Sequence, residues 1–123
     1  MAVERISESE YAVITPLWEE SPLTAVEIAD RVADAQGWTL QTVKTLLSRL
    51  VNKGAVAFEA QGRRYLYRPL IERDDHAVAE SRRLIDRLFA GKVSPLVAHL
   101  AERDVLSKED IAAIEALLKD LRP

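Results

Sequence analysis

With 123 residues, of which 48% are hydrophobic and 30% charged, the chain has a globular composition and can build one core but not two full ones. It contains no cysteine, which excludes disulfides, thiolate metal sites and cysteine nucleophiles. It also lacks an apolar run of membrane-spanning length and a signal-peptide pattern. We therefore expect a cytoplasmic protein without stable membrane association. The net charge of -3 is unevenly distributed, because residues 1–36 hold two basic and eight acidic side chains whereas residues 37–70 hold six basic and one acidic, which indicates a localised anionic partner.

Two capping boxes predict the starts of the first two helices. Ser7 precedes Glu10 by three residues, so a helix should begin near Glu8 and be kinked or tightened at Pro16. Its predicted buried residues are Tyr11, Ile14 and Leu17 or Trp18. Thr24 and Glu27 repeat the pattern, and this second helix should end before Gly37. Its predicted apolar stripe comprises Val26, Ile28, Ala29, Val32 and Ala33.

A third helix, capped by Thr39 and ended by Gly54, combines an apolar face with a polar and basic one. The apolar face is Val43, Leu46, Leu47, Leu50 and Val51. The other face carries Gln41, Thr42, Lys44, Thr45, Ser48 and Arg49. Such side chains can read base edges and bind phosphates when a helix enters the major groove of DNA, although most polar helix faces are merely solvated.

A basic hairpin follows the third helix and favours DNA binding over a solvated face. We predict strands over residues 55–59 and 63–68 around a glycine-containing turn at residues 60–62, with a third strand near Leu23. The tip carries Arg63, Arg64 and Tyr65, the residue types of a wing that contacts phosphates. Three helices and a hairpin in this order predict a winged helix-turn-helix DNA-binding domain over residues 1–70, with candidate contacts at Thr39 and the polar residues named above.

Residues 71–123 predict an α-helical dimerisation domain, so the whole chain should be mainly α with one small antiparallel sheet. Helices are expected from residue 73 to about 90, from 93 or 94 to 103, and from 110 to 121, the last capped by Ser107 and Asp110. About fifty residues make a poor independent core, so a second copy should cover their apolar stripes. The candidate dimerisation residues are Leu84, Leu88, Phe89, Leu96, Val97, Leu100, Ile114, Leu117, Leu118 and Leu121.

The residues that would support catalysis or metal binding are missing from the pattern. His76 and His99 are far apart and lack ligand spacing around them. Neither a phosphate-binding glycine loop nor a nucleophile elbow is present. We expect no enzyme activity, no cofactor and no metal site. The remaining alternative to a DNA-binding protein is a winged-helix adaptor whose basic segment docks an acidic protein.

Several segments resemble the BlaI/MecI penicillinase-repressor family over nearly the whole chain. They are residues 6–18, 22–28, 37–39, 42–54, 62–65, 67–69, 88–89 and 91–93. The resemblance implies a homodimeric repressor that binds palindromic double-stranded operators until a membrane-bound sensor metalloprotease triggers its cleavage. The position of the family's cleaved Asn-Phe bond is occupied here by His99 and Leu100. A copper-responsive branch with C-terminal cysteine pairs is disfavoured, because this chain has no cysteine.

Overall fold

Residues 4–122 are described by the structure, a computed structural model, and within them the chain forms six helices and one two-stranded antiparallel sheet. In chain order the elements are α1 Glu8–Glu19, α2 Ala25–Gln36, α3 Leu40–Asn52, β1 Val56–Gln61, β2 Arg64–Pro69, α4 Arg73–Phe89, α5 Val93–Glu102 and α6 Lys108–Leu121. This is the mainly α winged helix-turn-helix arrangement that the sequence predicts.

Reciprocal hydrogen bonds fix the starts of α1 and α2. The Ser7 N–H donates to Glu10 Oε1 at 2.8 Å, and the Glu10 N–H donates to Ser7 Oγ at 3.1 Å. Thr24 and Glu27 make the same pair of bonds at 3.0 and 3.2 Å. Gly37 ends α2 at φ 65°, a left-handed conformation that costs glycine little. Both predicted capping boxes and this helix end are confirmed.

The core lies among α1, α2, α3 and the base of the hairpin. Its fully buried members include Val13, Ile14, Leu17, Leu23, Ile28, Val43, Leu47, Leu50 and Val56. The predicted burial of Tyr11, Val26 and Ala33 is wrong, since Tyr11 and Val26 are 43% and 54% exposed and Ala33 is exposed as well. Val13 lies in the core on α1 instead, and Ala25 is the buried residue at the start of α2. Pro16 does not end α1, which continues to Glu19, and the Glu20 N–H donates to the Pro16 carbonyl at 2.9 Å.

The hairpin pairs Val56 with Pro69 at its base and Gln61 with Arg64 at its tip. The predicted three-residue turn is therefore wrong: Gly62, at φ 66°, and Arg63 form a two-residue connection. Leu23 adds the predicted third extended segment. The Leu23 N–H donates to the Tyr67 carbonyl at 3.0 Å, and the Tyr67 N–H donates to the Leu23 carbonyl at 2.8 Å.

The first turn of α4 packs on α1 through aromatic side chains. Trp18 Nε1 donates to the Ile71 carbonyl at 2.9 Å, and the His76 ring stacks on Tyr11 with centroids 5.4 Å apart. Tyr11 also meets Trp18 edge to face at 5.7 Å. The Trp18–Ile71 and Tyr11–His76 contacts join residues more than fifty positions apart, and local sequence patterns do not predict them.

The chain divides into two compact units between His76 and Ala77. In the second unit, Ser107 and Asp110 form the predicted capping box of α6, with bonds of 3.0 and 3.2 Å. No described residue of α4, α5 or α6 is buried in the single chain. Among residues 4–122, none of the helices has the length and hydropathy needed to cross a membrane.

Candidate nucleic-acid interface

The polar face of α3 is held open to solvent by the packing of the opposite face. Val43, Leu46, Leu47 and Leu50 are buried, so the helix cannot rotate without exposing them. Thr39 caps the helix by accepting the Thr42 N–H at 3.2 Å. The predicted contact residues Gln41, Lys44, Thr45, Ser48 and Arg49 are all exposed, and Thr42 is half-buried.

The wing carries cations at its tip and aromatic rings along one face. Arg63 and Arg64 are exposed on and beside the two-residue connection. Behind them, Tyr65 and Phe58 pack with ring centroids 4.6 Å apart. Tyr67, deeper in the hairpin, is buried at the base and meets Phe58 at 6.0 Å. The wing is therefore anchored in the core at one end and cationic at the other.

One cleft of about 530 Å³ brings the helix and the wing together. Lys44 and Ser48 line it from α3, and Arg63, Arg64 and Tyr65 line it from the wing. Thr24, Ala25 and Val26 contribute the start of α2, and Tyr67 completes the wall. Five of the predicted contact residues thus share one concave surface. Thr39, Gln41, Thr42, Thr45 and Arg49 do not line this cleft, although they belong to the same helix or its cap.

The cations of this surface are available to an external anion. Within residues 4–122, no carboxylate forms an ion pair with Lys44, Arg49, Arg63 or Arg64. Arg64 makes only a long 3.4 Å hydrogen bond to the Gln61 side chain. Glu27 lies near this surface, and its pKa is lowered chiefly by the Thr24 N–H and hydroxyl, with smaller contributions from the charges of Arg31 and Arg64.

Lys53 belongs to the basic segment of the sequence, but the fold uses it internally. Its Nζ donates to Glu10 Oε1 at 2.6 Å and to the Arg5 carbonyl at 2.8 Å. Glu10 is buried, and only 22% of the Lys53 side chain is exposed. The sequence counts Lys53 with the cations, whereas the structure removes it from the set that can meet an anion. Only the long-range pairing with α1 reveals this role.

The predicted dimerisation residues all lie on α4, α5 and α6, and none of them is buried within the single chain. Leu84, Leu88, Val97, Leu117, Leu118 and Leu121 are exposed, and Phe89, Leu96, Leu100 and Ile114 are half-buried. His99 and Leu100 lie within α5, where the His99 ring meets Phe89 edge to face at 5.9 Å. Within the described residues, no group of three or more potential ligands among His, Cys, Asp and Glu is placed to hold a metal ion.

Comparison with known proteins gives consistent similarities. The sequence profile of the penicillinase repressor family matches residues 6–120. A penicillinase repressor from Bacillus licheniformis is 28% identical over 118 residues, covering 96% of this chain and 92% of that protein. The solution structure of the DNA-binding domain of the repressor BlaI is 30% identical with a TM-score of 0.54, covering 60% of this chain and 90% of that one. Monomeric Bacillus licheniformis BlaI in complex with the blaP half-operator gives 30% identity, a TM-score of 0.52 and the same coverage.

Proposed function

The chain belongs to the penicillinase repressor family, and from this premise we propose that it is a DNA-binding transcriptional repressor that binds palindromic operators as a homodimer. It performs no catalysis: the family is one of repressors, not enzymes. Residues 1–70 act as the DNA-binding domain and residues 71–123 as the dimerisation domain. Because its proposed target is operator DNA, we propose that it acts in the cytoplasm.

The observation that carries this proposal is the cleft shared by α3 and the wing. A duplex presents base edges in its major groove and a row of phosphates beside it. The exposed face of α3 supplies the side chains for the groove, and Lys44, Arg63 and Arg64 supply exposed cations for the phosphates. The structural similarity to BlaI on its half-operator supports the same assignment.

Duplex affinity of single-cation variants tests DNA binding. Arg64→Ala should weaken binding to all sequences alike and reduce the dependence of log affinity on log salt by about one, because a phosphate contact releases a counterion. Arg49→Ala should instead relax preference at one position of each half-site if Arg49 reads a base. Arg82→Ala, which removes an exposed cation of α4, is the matched control. It should change neither the duplex affinity with its salt dependence nor the base preference. Salt-independent binding, or equal losses for Arg64→Ala and Arg82→Ala, would favour the protein-docking adaptor.

The apolar surface of α4, α5 and α6 supports dimerisation. Leu121 is 79% exposed in the single chain, and no described residue of these helices is buried. Exposed apolar side chains that lie together on a protein mark an interaction site. A second copy of the same surface would cover it in an isologous, two-fold interface, which gives the palindromic operator its matching symmetry.

We further propose that induced proteolysis of the dimerisation domain, through a membrane-bound sensor metalloprotease, releases the repressor. Two linked DNA-binding domains bind a palindrome far more tightly than one domain does. Loss of the dimerisation domain therefore removes this gain in affinity. His99 and Leu100 are the candidate positions, and cleavage there requires α5 to open locally because both residues are helical. An immunoblot of the tagged chain after β-lactam challenge of the source cell should show a shortened product. Derepression with the chain intact would point to a direct effector instead.

A further inference from the structure

We propose that Phe58 is a positioning residue for DNA binding, holding the Tyr65 ring at the edge of the cleft between α3 and the wing. This inference rests on the proposed function and adds a residue that the sequence analysis did not include among the DNA contacts. Phe58 itself does not line the cleft, whereas Tyr65 does.

The register of the hairpin places the two rings together. Phe58 pairs across the sheet with Tyr67, and Tyr65 is the next residue of β2 on the same face. The Phe58 and Tyr65 centroids are 4.6 Å apart with an interplanar angle of 38°, within the range of favourable ring pairs. Phe58 also meets Tyr67, which is anchored in the core. A continuous row of rings therefore runs from the core to Tyr65.

The exposure of this pair indicates a role beyond stabilising the hairpin. Phe58 and Tyr65 are 47% and 49% exposed, so neither ring is buried as a core residue would be. A tyrosine beside a charged cleft has several accessible rotamers unless a neighbour restricts them. Packing against Phe58 restricts the Tyr65 ring before DNA arrives. Such preorganisation removes an ordering cost from binding. Arg64, the first residue of the same strand, directly precedes Tyr65, and Arg63 lies in the connection before it.

A double-mutant cycle on duplex affinity tests the inference in the full-length chain. Phe58→Ala should weaken operator binding by about three- to tenfold, the range expected for one aromatic pair. In the Tyr65→Ala background the same substitution should have less than about a twofold effect, because Phe58 then has no ring to position. Phe58→Tyr, which retains a ring at this position, should restore affinity. Leu66→Ala is the matched control: Leu66 pairs with Glu59 on the opposite face of the hairpin and should leave affinity within about twofold.

Thermal unfolding of every variant separates positioning from loss of the wing. Equal losses of affinity for Phe58→Ala with and without Tyr65, or an unchanged affinity for Phe58→Ala or Tyr65→Ala alone, would overturn the inference. An affinity loss in Leu66→Ala as large as that in Phe58→Ala would do the same, since it would trace the effect to hairpin stability. Failure of the unmodified chain to bind any duplex would refute the proposed function itself, and the inference with it.

Discussion

Glu10 contributes both to the start of α1 and to the end of α3. Its carboxylate closes the capping box of α1 and binds Lys53, the C-cap of α3. Burial alone raises the pKa of Glu10, but the hydrogen bond and charge of Lys53 and the Ser7 N–H outweigh it, so the pKa is lowered. The ionised carboxylate therefore stabilises the end of the helix whose exposed face is proposed to meet DNA.

Glu10→Gln should make stability less dependent on acid. Because the folded-state pKa of Glu10 is lowered, its stabilisation is fully present above the unfolded-state pKa and is lost as pH falls through the lower folded-state pKa. The variant should lose about 1–3 kcal/mol of unfolding free energy near neutral pH and much less in acid. Urea unfolding across this pH range measures both. Glu8→Gln, which changes an exposed acid of the same helical turn, is the control. If the unfolding free energy of Glu10→Gln fell with acid as steeply as that of the unmodified chain, the assigned role of Glu10 would be wrong.

At the scale of the elements, local sequence signals predict most of the helices. The structure differs from the prediction where non-local contacts decide the burial of a side chain or the length of a turn. Capping boxes and left-handed glycines act over three or four residues, so Ser7, Thr24 and Gly37 locate helix ends from sequence alone. Periodicity gave the buried face of α3 for the same reason. Tyr11 was misplaced because its contacts are with Trp18 and His76, and the latter is distant in sequence. The hairpin turn is shorter than the predicted turn at residues 60–62, because pairing of Gln61 with Arg64 leaves only two residues between the strands.

Two threonines of the α3 segment should respond oppositely to alanine. Thr39→Ala removes the acceptor for the Thr42 N–H and should cost about 1 kcal/mol of unfolding free energy, whereas Thr39→Ser should retain the cap. Thr45 is exposed in the helix interior, where its hydroxyl donates to the Gln41 carbonyl. Thr45→Ala should be neutral or stabilising by up to about 0.7 kcal/mol through higher helix propensity. Urea titration decides between these outcomes, and a larger loss for Thr45→Ala than for Thr39→Ala would refute the assigned cap.

At the scale of the whole molecule, the two units differ in how their apolar surface is covered. The first unit has a closed core, whereas the second leaves five leucines exposed in the single chain, namely Leu84, Leu88, Leu117, Leu118 and Leu121. Periodicity predicts such stripes, but it does not identify what covers them, because the proposed cover belongs to a second chain. The domain boundary after residue 70 stays a prediction. Ile71 and His76 lie beyond it but contact Trp18 and Tyr11 of α1, and such distant contacts are not visible in the local sequence.

The central claim is that two copies of this chain place α3 and the wing on symmetric halves of one operator. Hydroxyl-radical footprinting of the full-length chain on a duplex selected from the source genome tests it most directly. The account predicts two protected half-sites in inverted orientation, with centres separated by about 10–10.5 base pairs or a multiple of that distance. A single asymmetric protected segment on the selected duplex would contradict it.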